Sequence, residues 1–296
     1  MNFQQLRVVR EAVRRQFNLT EVSAALEMSQ SGVSKHLKDL EDELGLVLFE
    51  RKGKRLLGLT EPGREVLGYA EKILQQAENL YAVAETFAEQ DQGRLVLATT
   101  HTQARYALPE IVRRFREEFP KVKLVMHQAT PSEIVAMLMT DQADIGIATE
   151  SLRANPELET FAFYRWYHGV IVPEGHPLTK LSELTLAELT RYPIITYHQG
   201  LTGRSMIDET FAKAGLKPEI AMEALDADVI KAYVALGMGV GIVASMAFDD
   251  DQDQHLRLLD ASELFEENTT LLAVRKERFL RGYVKRFIAL CDREKR

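Results

Sequence analysis

The chain has 296 residues, 46% hydrophobic and 27% charged, an ordinary globular composition at a length that exceeds one usual core and predicts two or three domains. Its single cysteine, Cys291, excludes an intrachain disulfide, and with neither a signal-peptide pattern nor an apolar run long enough for a membrane helix the expected setting is the reducing cytoplasm. The net charge of −7 argues against nonspecific coating of nucleic acid, yet residues 1–60 hold 10 Lys+Arg against 8 Asp+Glu, so a mildly cationic head precedes an acidic body.

Residues 20–44 read as two short helices broken at Glu27-Met28. Thr20 is placed to cap the first, with Val22, Ala25 and Leu26 on its apolar face. Ser29 is placed to cap the second, where Val33, Leu37, Leu40 and Leu44 recur at helical spacing. Phe3, Leu6 and Val9 supply a third helix. The outer face of the second helix carries Gln30, Ser31, Ser34, Lys35 and Lys38, whose donors suit base edges and phosphates in a major groove. Beyond Gly45, the apolar Leu46, Leu48 and Phe49 lead into Arg51, Lys52, Lys54 and Arg55 around Gly53, a hairpin with a cationic tip that reads as a wing. The expected DNA-binding set is Ser29, Gln30, Ser31, Ser34, Lys35, Lys38, Arg51, Lys54 and Arg55. The competing reading is a plain helical bundle with a solvated charged face, and the basic wing weighs against it.

The stretch SQSGVSKHLKDLEDELGLVLFER, Ser29 to Arg51, resembles the signature of the LysR-type regulators: a serine-glutamine start, a serine-basic pair, a leucine-glutamate pair and a closing leucine-phenylalanine-x-arginine. Ser31 stands where many members carry proline.

Pro62-Gly63 closes the wing, with Pro62 suited to a first helical position, and beyond Gly63 to about Glu89 only Gly68 interrupts good helix formers. Leu67, Ala70, Leu74, Ala77, Tyr81, Ala84 and Ala88 follow a 3,4 spacing over about three heptads. A helix over that span would be roughly 42 Å long. The expectation is a dimerisation helix that sets the spacing of two heads; the alternative is a helix packed only on its own domain. Asp91-Gln92-Gly93 reads as a hinge.

From Arg94 onward apolar runs alternate with helical patterns. RLVLATT, KLVMHQ, DIGIAT, HGVIVP, YPIITY, PEIAME, VGIVAS and TTLLAV are the expected strands. ALPEIVRRFREEFP, PSEIVAMLMTDQA, LTLAELTRY, GRSMIDETFAKAGL and DADVIKAYVALGMG are the expected helices. The alternation predicts parallel sheets in an α/β body, where ligands sit at strand C-terminal ends. Three such turns carry donors: Thr100, Thr102 and Gln103 after the first strand, Thr149 at the end of DIGIAT, and Thr202 with Ser205 around Gly203. No cation belongs to this set. Hydroxyls, an amide and backbone N–H groups can hold a small oxyanion without a fixed salt bridge. Each threonine alone is more commonly a strand residue or cap, so their joint placement makes the case.

TTHTQARYALP, the IATE stretch, TGRS, DADVIKAYVALGMGVGIVASMA and RKERFLRGYV resemble the cysteine-regulon activator (CysB/Cbl) branch of the LysR-type regulators. That resemblance implies an all-α winged helix-turn-helix head at 1–61, a long linker helix at 62–92 and, at 93–296, an α/β two-lobed effector domain like periplasmic binding proteins. Lobe I would take 93–163 and 269–296, lobe II 164–268. Thr100, Thr102, Gln103, Thr149 and Thr202 would bind the effector, with Trp166 beside the cleft. The effector would be a sulfate-like anion or acetylserine. Partners would be promoter DNA, RNA polymerase and a second copy of the chain, in a homodimer or a homotetramer built from two kinds of dimer. The implied role is transcriptional activation of sulfur and cysteine assimilation genes. The alternatives are the same architecture sensing a sulfonate, or an enzyme with an appended helix-turn-helix.

Other signals point away from catalysis and cofactors. Gly237-Met238-Gly239-Val240-Gly241 follows a helix and precedes a strand, the reverse of a phosphate-cradling fingerprint, and reads as a helix C-cap. The seven histidines form no i,i+4 pair, and no serine sits in a GxSxG elbow. Asp226 and Asp228 open a helix and suit its positive end. His101 either touches the pocket or is a turn residue without a role. DDDQDQ at 249–254 reads as a solvated loop.

Overall fold

A computed structural model describes residues 1–53, 55–88, 92–201 and 203–292. Lys54, Thr202 and Asp91 of the expected hinge lie outside the described residues. The chain divides into two compact units: a head of Met1–Ala88 joined by Glu277–Phe279, and a body that holds the rest.

In the head, α1 (Phe3–Arg14), α2 (Leu19–Ala25) and α3 (Gln30–Leu44) precede the antiparallel hairpin β1 (Phe49–Lys52) and β2 (Arg55–Leu59) and the long helix α4 (Glu61–Ala88). Asn18, not Thr20, caps α2: its Oδ1 accepts the N–H groups of Thr20 and Glu21 at 3.1 and 3.4 Å. Asparagine outranks threonine at this position, so the helix starts earlier than expected. Ser29 caps α3, its hydroxyl accepting the Gly32 N–H at 3.1 Å. Between them Glu27, at φ +52°, makes the break. Leu6, Val9, Val22, Val33, Leu37 and Leu40 are buried as their spacing requires. Phe3, Ala25 and Leu44, at helix ends, are exposed instead.

The seam on α4 has two owners. Ala70 and Leu74 are buried in the head's own core beside Leu6, Val9 and Leu56. A second stripe faces out: Tyr69, Ile73, Leu80 and Tyr81 are 67, 39, 70 and 68% exposed. Arg10 of α1 pairs with Glu78 of α4 at 3.2 Å.

The body holds two five-stranded sheets. The first, in the order β4 (Val122–Gln128), β3 (Gly93–Thr99), β5 (Ile145–Ala148), β12 (Asn268–Arg275), β6 (Leu158–Trp166), carries α5 (Pro109–Glu118), α6 (Pro131–Met139) and α10 (Gly282–Cys291). Alternation along β3 sorts its two faces. Leu95 and Leu97 pack with Ile111, Phe115 and Phe287, while Val96 and Ala98 meet Ile134 and Leu138. Each fully buried Leu or Phe here contributes about 1.5–3 kcal/mol. Cys291 is buried in this lobe.

The second sheet, in the order β11 (Leu256–Leu259), β7 (His168–Pro173), β10 (Val240–Ala244), β8 (Ile194–Tyr197), β9 (Ile220–Ala224), carries α7 (Leu186–Leu189), α8 (Arg204–Lys213) and α9 (Ala227–Ala235). Asp226 caps α9, accepting the Val229 N–H at 2.9 Å. Gly237, at φ +75°, closes it, as the C-cap reading of the glycine run expects.

The sheets are mixed rather than parallel. β3 runs parallel to β4 and β5, and β8 to β9 and β10, but β12 opposes β5 and β6, and β7 opposes β10 and β11. The cause is the double crossing between lobes. β6 leaves the first sheet directly for β7 and β12 returns beside it, and an outgoing and a returning strand lie antiparallel. β6 stays in the first sheet through Trp166 and β12 joins at Asn268, so the crossings fall at Tyr167 and Glu267 rather than after 163 and 268. Among the described residues no helix is long and apolar enough to cross a membrane.

Candidate DNA-reading face and effector cleft

On the head, Gln30, Ser31, Lys35 and Lys38 are exposed on α3 and Ser34 is half-buried. Ser29 Oγ lies 3.1 Å from Ser31 Oγ, and Gln30 Nε2 donates to Thr20 Oγ1 at 3.3 Å. Arg51 is tied down: its Nη2 donates to Glu41 Oε2 at 2.6 Å, while Glu41 Oε1 accepts the Leu48 and Phe49 N–H groups at 2.8 and 3.3 Å. It anchors the base of the wing to α3. Arg55 lines a cavity of about 640 Å³ together with Arg14, Arg15, Asn18, Thr20 and Gln30. Arg14 and Arg15 were not expected at this face; the signal was a cation pair at the end of α1, and only folding sets it beside the hairpin.

In the body, the donors converge at the C-terminal ends of two neighbouring strands. Thr99 pairs with Ile147 across β3 and β5, and the Thr100 N–H donates to the Ile147 carbonyl at 3.3 Å. Thr100 and Thr149 therefore emerge side by side, each 8% exposed. Thr102 and Gln103 are buried where β3 turns into a one-turn π-helix, Gln103–Ala107. Gln103 Oε1 accepts from the Tyr164 hydroxyl, which also lies 2.9 Å from Met246 Sδ. Gln103 Nε2 is buried with no hydrogen-bond partner among the described residues.

Lobe II closes the other side. Tyr197 of β8 is fully buried; burial pushes its phenol up, while its hydroxyl accepts the Ala244 N–H at 3.1 Å and meets Thr102 across the lobes. Arg204, the one cation of GLTGRS, turns away. It donates to the Tyr197 carbonyl and Glu223 at 2.6 Å each and to Asp208 at 2.8 Å, so its charge is already compensated. Trp166 lies at the crossing, buried, with its indole N–H donating to Thr270 Oγ1 at 3.1 Å and its ring edge-on to His168. Beneath it Asn268 Nδ2 is 3.4 Å from His168 Nδ1.

A charged cluster outside the expected set also spans the lobes. Asp228 of α9 faces His101, Arg105 and Tyr106 of lobe I and Lys231 of lobe II. Burial works against its charge, yet the Tyr106 hydrogen bond and the cations hold the Asp228 carboxyl below its ordinary range. The run at 249–254 is not wholly solvated either: Asp253 is buried, 2.9 Å from Lys231 Nζ, and accepts the Asp249 N–H at 3.0 Å. A buried lysine requires such a partner.

A winged helix-turn-helix followed by a two-lobed α/β body is the build of a DNA-binding transcription regulator, and the chain belongs to the LysR family. Residues 3–64 match the bacterial regulatory helix-turn-helix protein, lysR family, and residues 88–296 match the LysR substrate binding domain. The chain is 56% identical to the transcriptional regulator SsuR of Burkholderia cenocepacia, over 98% of this chain and 94% of that one. It is 51% identical to the transcriptional regulator Cbl of Escherichia coli strain K12, over 99% and 92%. The crystal structure of the cofactor-binding domain of Cbl superposes with a TM-score of 0.66 at 49% identity, covering 68% of this chain and 88% of that one. These relatives are DNA-binding transcription regulators and not enzymes, and they place the chain in the expected branch.

Proposed function

We propose that this chain controls sulfur-assimilation promoters, reading operator DNA with Gln30, Ser31, Ser34, Lys35, Lys38 and Arg55 and sensing a small oxyanion between its lobes. Thr100, Thr102, Gln103 and Thr149, with Thr202 and with Trp166 at the margin, form the effector site. The observation that carries this reading is the buried amide Nε2 of Gln103, which has no hydrogen-bond partner among the described residues and follows the Thr100 and Thr102 hydroxyls at the end of β3. A buried donor left unmade is costly, and an oxyanion satisfies it. A sulfate-like anion or acetylserine fits these donors. Because the cage holds no fixed cation, a singly charged organosulfonate is the alternative guest. Replacing Thr100 and Thr149 together by Val is expected to abolish the calorimetric signal for sulfate and thiosulfate and the acetylserine response in an electrophoretic shift, with promoter binding kept at low salt. Anion affinity that survives in this variant would defeat the assignment.

The head reaches its operator as a dimer, with RNA polymerase as a further partner at the promoter. The outward stripe of α4 supports a dimer contact, and a second stripe of Leu225, Val229, Tyr233 and Leu236, 66, 37, 37 and 74% exposed around α9, supports a second, giving a tetramer. Leu74 belongs to the head core, so the informative variant is Leu80→Glu with Tyr81→Glu. Sedimentation is expected to show the assembly halved and the head still folded; an unchanged mass would remove α4 from the interface.

A further inference from the structure

The one-turn π-helix Gln103–Ala107 faces two ways. Its first residue, with Thr102, belongs to the effector cage; its later residues, Arg105 and Tyr106, reach across to lobe II. Tyr106 Oη donates to Asp228 Oδ1 at 2.7 Å, and Arg105 Nε lies 2.8 Å from Asp228 Oδ2. His101 Nε2 stands 3.9 Å from the same oxygen, and Lys231 Nζ 3.5 Å from Oδ1. The Tyr106 ring packs against the lobe II cluster of Ile171, Tyr197, Ala227 and Ile230. Lys231 and Arg105 sit over that ring at 5.4 and 5.5 Å. Lys231 is itself fixed by Asp253 and by the Ala247 carbonyl, each at 2.9 Å.

We propose that Asp228 is a positioning residue for the effector: it grips the π-helical turn from lobe II and thereby fixes Thr102 and Gln103 toward a small oxyanion. This rests on the effector reading above. A π-turn is a rare backbone conformation that persists only where its surroundings hold it, and Asp228 supplies a hydrogen bond to Tyr106 and an ion pair to Arg105, consecutive residues of that turn. A single exposed ion pair would do little. Here the phenol is half-buried and the same carboxylate serves a tyrosine and an arginine, so loss of either oxygen frees the turn. The grip is also directional. Lobe II can move away only by parting Asp228 from lobe I, so an anion that engages Gln103 is coupled to lobe closure through a contact it never touches.

The test uses the full chain with Asp228→Asn, Tyr106→Phe and the double variant. Two readouts are taken: calorimetric affinity for inorganic sulfate and thiosulfate, and amide exchange of the 101–108 segment without anion. Each single change is expected to weaken anion affinity about three- to tenfold and to speed exchange in that segment alone; the double variant should be no worse than the weaker-binding single. Unchanged exchange at 101–108 in both singles would overturn the proposal, as would additive losses in the double variant. If the unaltered chain binds neither anion, the sulfate-like guest is excluded and exchange alone decides the grip: local acceleration upholds it, none removes it. A merely structural role would show as exchange raised throughout lobe II with anion affinity intact, which also overturns it.

Discussion

Gly63→Ala is expected to unfold the head and abolish operator binding while the body stays folded. A Cβ at this position would lie 2.0 Å from the Leu48 carbonyl oxygen and 2.9 Å from its carbon, and the obstacle is backbone. That carbonyl cannot swing aside, because it accepts the Thr60 N–H at 3.0 Å. Thr60 Oγ1 in turn donates to the Val47 carbonyl at 2.6 Å and accepts the Gly63 N–H at 3.0 Å. The start of α4 and the entry to the wing are thus locked at contact distance. Overpacking of this kind costs about 3 kcal/mol or more, a large part of the stability of a small domain. Calorimetry should show the head transition lost or moved well down, with the electrophoretic shift gone. Gly68→Ala is the control. Nothing lies near its Cβ position, and as an ordinary helical glycine it should stabilise α4 by about 0.5–1 kcal/mol. A Gly63→Ala protein that melts and binds like the parent would refute this account of the junction.

Gln103→Leu should separate stability from sensing. The change removes a buried donor that has no partner among the described residues and keeps the side chain's shape and its packing beside Tyr164. Removing an unsatisfied buried group relieves about 1–3 kcal/mol, partly offset by the hydrogen bond lost from Tyr164. The thermal midpoint should hold or rise. A hydrogen bond to a charged guest is worth about 1.5–3 kcal/mol, so anion affinity should fall roughly ten- to hundredfold. Equal losses in both readings would make Gln103 a packing residue and nothing more.

Much of the head was readable in advance because its signals are local. Ser29 as a cap, Val33, Leu37 and Leu40 at helical spacing, and a glycine between basic strands each depend only on near neighbours. Where two residues compete for one role, local pattern falters: Asn18 and Thr20 are both able caps, and only the backbone before Leu19 decides. The α4 seam misled for a related reason. A heptad says that an apolar stripe will be covered, not by whom, and α1 takes Ala70 and Leu74 before any second chain arrives. In the body, LETFAFYRW hid as a strand because charged residues break its alternation, and LRLL is too short to stand out. The closing helix Gly282–Cys291 returns to the first lobe, a fact of topology that no window of sequence contains. The donors of the proposed cage showed themselves as hydroxyls at strand ends. The grip on the turn beyond them did not, since Tyr106 and Asp228 are 122 residues apart and Asp228 alone looks like a routine acid at a helix start.

The double crossing at Tyr167 and Glu267 has an architectural consequence. Both ends of the body belong to the first sheet, so the second lobe is a cassette nested inside its neighbour, entered and left through two adjacent extended segments. A cassette of that kind can be exchanged between homologues at those two seams without disturbing chain order on either side.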